Sequence, residues 1–212
     1  MKRGLFITFE GIDGCGKSTQ LSLAARSLRE RGLDVVVTRE PGGTPIAEKI
    51  REILISPENS EMVNECELLL YLAARAQHVH QTIIPALEEG KIILCDRFQE
   101  ATFAYQGFGR SFSLKLLKDL NAFATGSLNS DCTLIFDISE QVSRIRLEAI
   151  NKGKDRLEQN GIEFFKRIRN GYHELAKAEP SRIVLIDGER SISEVSDLVR
   201  SRIDALLQSR GN

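Results

Sequence analysis

The chain has 212 residues, with 29 Lys and Arg against 30 Asp and Glu, a net charge of −1, 42% hydrophobic residues and 28% charged residues. That size and balance suit one well-buried α/β domain and supply no global field for nucleic acid or an anionic membrane, so neither is expected as a partner and any anion must be held by a local arrangement. No apolar run approaches the roughly 18 residues of a membrane span, Met1-Lys2-Arg3 leads into a strand and not a signal peptide, and the four cysteines lack a Cys-x-x-Cys spacing, so a cytoplasmic protein with reduced thiols is expected.

In chain order, Leu5–Phe9 reads as a short apolar strand. Lys17–Arg31 carries apolar residues at Leu21, Leu23, Ala24, Ala25 and Leu28 and stops at Gly32, so it reads as an amphipathic helix. Strand 34–38 follows, then a loop at Pro41-Gly42-Gly43-Thr44-Pro45 and a helix over Ile46–Ile55. Cys66–Glu89 is one long helical pattern with Pro85 expected to kink or break it. His78 and His80 on it are two apart and would diverge, so no shared metal is expected. Then come strand 91–95, helix 114–124, strand 132–137, helix 142–150, a polar stretch from Asn151 to Arg156, helix 163–178, strand 182–186 and helix 192–207. Near-continuous apolar strands alternating with helices predict a five-stranded parallel sheet with helices on both faces, a three-layer α/β fold. In such sheets ligands bind beyond the carboxyl ends of the strands, where Glu10–Ser18, Arg39–Thr44, Asp96-Arg97 and Asp187-Gly188 all fall.

Gly11-Ile12-Asp13-Gly14-Cys15-Gly16-Lys17-Ser18-Thr19 fits G-x-x-x-x-G-K-[ST] between a strand and a helix. Its glycines let backbone N–H groups turn inward around phosphate oxygens, and the following helix offers its free N–H groups and positive dipole end. Residues 11–19 are therefore expected to bind ATP, with Lys17 reaching the β- and γ-phosphates and Ser18 ligating Mg²⁺. Such a loop does not separate a kinase from a nucleotide-dependent switch or assembly ATPase. Asn151-Lys152-Gly153-Lys154-Asp155 nearly matches the guanine reader of a GTPase, but Asp155 is one position too far.

Thr38-Arg39-Glu40-Pro41-Gly42-Gly43-Thr44, Leu70-Tyr71-Leu72-Ala73-Ala74-Arg75, Asp96-Arg97-Phe98 and Ala104-Tyr105-Gln106-Gly107-Phe108-Gly109 follow in order. With the loop, these segments resemble the thymidylate kinases of bacterial type over nearly the whole chain. The resemblance implies a P-loop kinase fold in one domain, residues 1–212, transfer of the ATP γ-phosphoryl to dTMP with Mg²⁺, and a homodimer. It implies that Arg39 and Arg97 hold the acceptor phosphate, for which guanidinium forks are suited. Asp96 is expected beside Mg²⁺ with Ser18, Asp13 at the sugar 3′-hydroxyl, Tyr71 stacked on thymine, and Arg75, Thr102 and Gln106 at the polar edge of the base. Another monophosphate or deoxynucleoside kinase on the same fold is the alternative enzyme.

Two departures qualify the resemblance, and one of them, Ser130-Asp131-Cys132-Thr133 where relatives commonly have Pro-Asp-x-Thr, is expected to affect local rigidity more than chemistry. Gly14 stands where some relatives place an arginine, so a cation from a lid over about 151–159 is expected at the transferring phosphoryl. Asp155-Arg156-Leu157-Glu158 matches the lid string, with Arg156 either structural or phosphate-facing, and Lys152, Lys154 or Arg146 as the catalytic cation. Within the loop, Cys15 reads as a small residue tolerated beside a glycine, or as a reactive thiol near the γ-phosphate.

Overall fold

The computed structural model describes residues 3–150, 156 and 161–211. Five strands, β1 (Leu5–Glu10), β2 (Val35–Arg39), β3 (Ile92–Asp96), β4 (Cys132–Asp137) and β5 (Ile183–Asp187), form one parallel sheet in the order β2-β3-β1-β4-β5. The five expected strands are all present. Four of them end one residue later than the sequence suggests, which makes Glu10, Arg39, Asp96 and Asp187 the last residues of their strands. These four therefore stand on the carboxyl rim, where the chain order reverses on either side of β1.

Alternation along β1 divides the interior. Leu5, Ile7 and Phe9 join Ile92 and Leu94 in the main core, while Phe6 joins Ile93, Cys95 and Phe98 in a second cluster. Helix α1 (Lys17–Glu30) covers the main core with Leu21, Ala24, Ala25 and Leu28 and packs on α9 (Ile192–Gly211). Helices α2 (Pro45–Ile55), α3 (Asn64–His78) and α6 (Leu114–Thr125) form a packed group beside the acceptor side of the rim. Helix α7 (Glu140–Ile150) follows β4, and α8 (Ile162–Ala178) runs back toward β5.

The long helix over 66–89 is neither straight nor broken at Pro85. α3 passes into a widened π turn at Val79–Ile83 and resumes as α4 (Ile84–Glu88). Proline has no N–H to give and its ring crowds the carbonyl four residues back, and a widened turn ahead of it relieves both faults. A second helical stretch was unassigned from sequence: α5 (Gln99–Thr102) continues as a π segment over Phe103–Gly109. It is buried nearly all round, so it has no polar face to betray a 3.6-residue period. Of the expected lid at 151–159, only Arg156 lies within the described residues.

Candidate active site

The turn from β1 into α1 is a cradle of backbone amides. Gly11, Gly14 and Gly16 have φ of 135°, 79° and 90°, and Gly16 caps α1 with no side chain bonded to the helix's first N–H groups. Those amides and the dipole end of α1 are left to an anion. A side chain at Gly14 would start 3.0 Å from the Ser143 carbonyl of α7, tighter than an ordinary contact, and would have to hold a φ of 79° that favours glycine. Helix α7 grips the loop directly: Ser143 Oγ donates to the Asp13 carbonyl at 2.7 Å and Arg146 Nη1 to that of Gly14 at 3.3 Å. Cys15 lies beneath the loop, buried in the main core, and burial pushes its thiol above the usual range. The reactive-thiol expectation therefore gives way to an apolar packing role.

Lys17 and Asp13 meet at 3.4 Å, and Ser18 Oγ donates to Asp96 Oδ2 at 2.7 Å. Burial and Arg97 both press Lys17 toward losing its proton, but the nearby Cys15, Asp13 and Asp96 outweigh them and hold its ammonium above the ordinary value. Burial would raise Asp13, yet Arg97 and Lys17 together hold its carboxyl below the usual carboxylate range.

Arg97 is the hinge of the site. It occupies the left-handed region at φ 69°, a conformation that costs a non-glycine residue roughly 1–2 kcal/mol. Its own N–H is tied to the Phe9 carbonyl at 2.9 Å, and the next N–H, of Phe98, donates to Glu10 at 2.6 Å. Held this way, the guanidinium donates to Asp13 at 2.8 Å, to Tyr105 Oη at 3.2 Å and to Tyr172 Oη at 3.4 Å, and lies 5.0 Å from the Tyr105 ring centre. Tyr172 on α8 in turn donates to Glu10 at 2.9 Å. Burial raises Glu10 to about 7, against the pull of Arg97.

From Asp13 and Arg97 an open cleft runs outward, concave and lined by both polar and aromatic side chains. Tyr71, Arg75, Thr102 and Gln106 line it, as the sequence suggests, together with Arg51, Phe98 and Tyr105, which the sequence reading did not single out. Arg39 is the exception among the expected acceptor-side residues. Its exposed guanidinium pairs with Glu48 at 2.8 Å and forms no part of the wall, while Arg51, three residues after Glu48 on α2, does. Glu48 also accepts from the Gly43 N–H at 2.8 Å, so the carboxylate that holds Arg39 is itself fixed to the loop after β2.

Arg75 is almost wholly buried in a set of bonds that local sequence does not reveal. Its Nε donates to Glu40 at 2.7 Å, Nη1 to Thr102 at 2.9 Å and Asn121 at 3.1 Å, and Nη2 to the Phe98 carbonyl at 2.9 Å. His78 Nδ1 sits 2.9 Å from the other Glu40 oxygen, and its Nε2 lies 2.7 Å from Thr38 Oγ1. Burial opposes the Glu40 charge, but Arg75 and His78 hold its carboxyl below the usual range. His78 is thus a buried structural partner, and among the described residues no group of three or more His, Cys, Asp or Glu is placed to hold a metal. Arg156 is turned away from the phosphate loop: its Nη2 donates to the buried Glu67 at 2.6 Å and its Nε to the Leu54 carbonyl at 3.0 Å. Of its two expected roles, the structural one matches this placement. Lys152 and Lys154 lie outside the described residues.

The family model for thymidylate kinase matches residues 9–199. The chain belongs to the thymidylate kinase family. The thymidylate kinase of Geobacter sulfurreducens is 48% identical over 210 residues, covering 94% of this chain and 98% of the relative. That of Pseudomonas putida F1 is 49% identical over 205 residues, covering 96% and 95%. The crystal structure of the thymidylate kinase from Ehrlichia chaffeensis superposes with a TM-score of 0.78 at 34% identity, covering 95% of this chain and 99% of that one. A thymidylate kinase needs a triphosphate cradle and a second phosphate site facing each other, which is the relation between residues 11–18 and the Arg97 end of the cleft. No helix among the described residues is long and apolar enough to cross a membrane.

Proposed function

We propose that this protein is an ATP:dTMP phosphotransferase in which the γ-phosphoryl leaves the β–γ bridging oxygen of ATP and bonds to a phosphate oxygen of dTMP, giving ADP and dTDP. The observation that carries this reading is the Asp13–Arg97 contact, because it is where the cradle and the acceptor cleft share a wall. The γ-phosphate of a nucleotide in the loop and the phosphate of a nucleotide in the cleft then meet at Lys17 and Arg97.

Phosphoryl transfer asks the protein for alignment and charge more than for covalent chemistry. Lys17 draws the β- and γ-oxygens inward. Arg97 and Arg51 hold the acceptor phosphate, Asp13 keeps Arg97 and Lys17 in register and reaches the sugar, and the Tyr71 ring covers the base. The hydroxyl–carboxylate pair Ser18 and Asp96 fits Mg²⁺, a hard cation that takes few protein oxygens and completes its shell with phosphates and water. When bound, Mg²⁺ neutralises charge on the phosphate oxygens. Arg146, already against the loop, is the described side chain best placed to act as the second cation that Gly14 cannot supply.

The reading extends to a cytoplasmic homodimer of single-domain chains, with residues 151–159 as the lid. Leu69 and Ala73 on α3 and Leu116, Leu120 and Phe123 on α6 form apolar stripes at helical spacing on two helices that pack together. Phe123 is 89% exposed, which is unusual for so large an aromatic and suits a partner helix. The transfer is checked by ³¹P NMR of the protein with ATP, Mg²⁺ and dTMP. Equal growth of ADP and dTDP is expected; ATP hydrolysis to free phosphate with dTMP unchanged would overturn the reading.

A further inference from the structure

Gln106 stands in the cleft wall with Glu67 behind it, off the cleft. Glu67 is wholly buried on α3. Its Oε1 accepts from Gln106 Nε2 at 2.9 Å, and its Oε2 accepts from Arg156 Nη2 at 2.6 Å and Arg110 Nη2 at 3.3 Å. A carboxylate flanked by two guanidinium groups has no hydrogen to offer. It takes only the nitrogen side of the Gln106 amide, since rotating that amide would set two acceptor oxygens against each other in a dry site. The Gln106 carbonyl takes no hydrogen bond among the described residues and is the amide atom left for the cleft.

Arg75 is fixed in the same manner from the other side. Glu40, Thr102, Asn121 and the Phe98 carbonyl take its Nε hydrogen, both Nη1 hydrogens and one Nη2 hydrogen. What remains for the cleft is one N–H, which can only donate.

We propose that Glu67 is a positioning residue that sets base specificity by fixing the Gln106 carbonyl toward the acceptor base. The proposal rests on the cleft being the pyrimidine monophosphate site. A fixed acceptor at Gln106 beside a fixed donor at Arg75 matches a ring N–H next to a carbonyl, the edge of a 2,4-dioxopyrimidine. It opposes a 4-aminopyrimidine, whose ring nitrogen accepts and whose exocyclic amine donates. Discrimination then comes from a carboxylate that never touches the substrate.

The test is kcat/KM for dTMP and dCMP with the wild type, Glu67→Gln, Gln106→Met and the double variant, each checked for cooperative melting. A glutamine at 67 both donates and accepts, so the Gln106 amide can turn. The dTMP/dCMP ratio is expected to fall about tenfold in Glu67→Gln, mainly through KM. In the Gln106→Met background the Glu67 substitution is expected to leave the ratio unchanged. If Glu67→Gln does not fold, Glu67→Asp keeps the charge facing Arg156 and Arg110 while drawing back from Gln106, and the same fall is expected. An unchanged ratio with both nucleotides losing activity together, or a fall that persists in full without Gln106, would overturn the proposal. A wild type that phosphorylates neither nucleotide would instead overturn the reading on which it rests.

Discussion

Arg97 Nη2 lies 2.8 Å from Asp13 Oδ1, and that one ion pair ties the end of β3 to the phosphate loop. Each member gains from it. Asp13 stays ionised despite burial, and Arg97 keeps a strained backbone conformation because its side chain is held by Asp13, Tyr105 and Tyr172. Removing Arg97 is expected to weaken dTMP far more than thymidine in a calorimetric titration, because the lost partner is the phosphate. A shortfall of ~2–3 kcal/mol for dTMP is the scale of a charge-assisted contact. Equal losses for the two ligands would show that Arg97 only supports the fold.

Lys17→Ala is expected to lower kcat by two or more orders of magnitude, roughly 3 kcal/mol of transition-state charge stabilisation, with a smaller effect on the KM for dTMP. Single-turnover transfer measured by rapid quench reads this directly. A kcat like that of the wild type would remove Lys17 from its place at the transferring phosphoryl.

Glu10 gives a pH dependence of known sign. Its carboxyl moves from 4.5 to about 7 on folding, so between those values the folded chain holds a proton that the unfolded chain has lost. Stability contributed by this residue therefore falls as pH rises through that window, and the full penalty, about 3 kcal/mol, is present above it. Glu10→Gln keeps an acceptor for the Phe98 N–H and removes the charge, while its amide Nε2 reverses the Tyr172 contact so that the tyrosine oxygen accepts. The variant is expected to melt increasingly above the wild type from about pH 5 to about pH 8. A gap that does not change with pH would place the charged carboxylate in equal comfort in both states.

Cys15 is buried and its thiol is raised by burial. Brief treatment of the native protein with N-ethylmaleimide, read by peptide mass spectrometry, is expected to leave Cys15 unmodified whether or not ATP is present. Labelling that ATP suppresses would restore the reactive-thiol role.

Phe123→Glu places a charge in the exposed stripe of α6 and is expected to shift sedimentation from dimer to monomer while leaving the melting of the monomer cooperative. A variant that sediments as the wild type does would move the interface elsewhere.

The rim was legible because its signals are local. Lys17 and Ser18 fall in a contiguous string, and the strands were visible as apolar runs, so the convergence of 11–18, Asp96 and Arg97 followed from chain order. The support behind them was not. Glu10 and Tyr172 are 162 residues apart, and Glu67 and Gln106 are 39 apart, so their bonds exist only through the packing of α3, α8 and the π segment. Phe103–Gly109 escaped assignment because an element buried on every side shows no period. The Arg39–Glu48 pair spans a strand end and the next helix, so the sequence around Arg39 alone does not show it.

The central claim is that the cleft beyond Arg97 takes a thymidine monophosphate as phosphoryl acceptor. A coupled ADP-release assay over dTMP, dUMP, dCMP, dGMP and thymidine tests it most directly. ADP release that depends on dTMP and exceeds that with the other acceptors is the predicted result. No acceptor-dependent ADP with any monophosphate, or a preference for unphosphorylated thymidine, would contradict it.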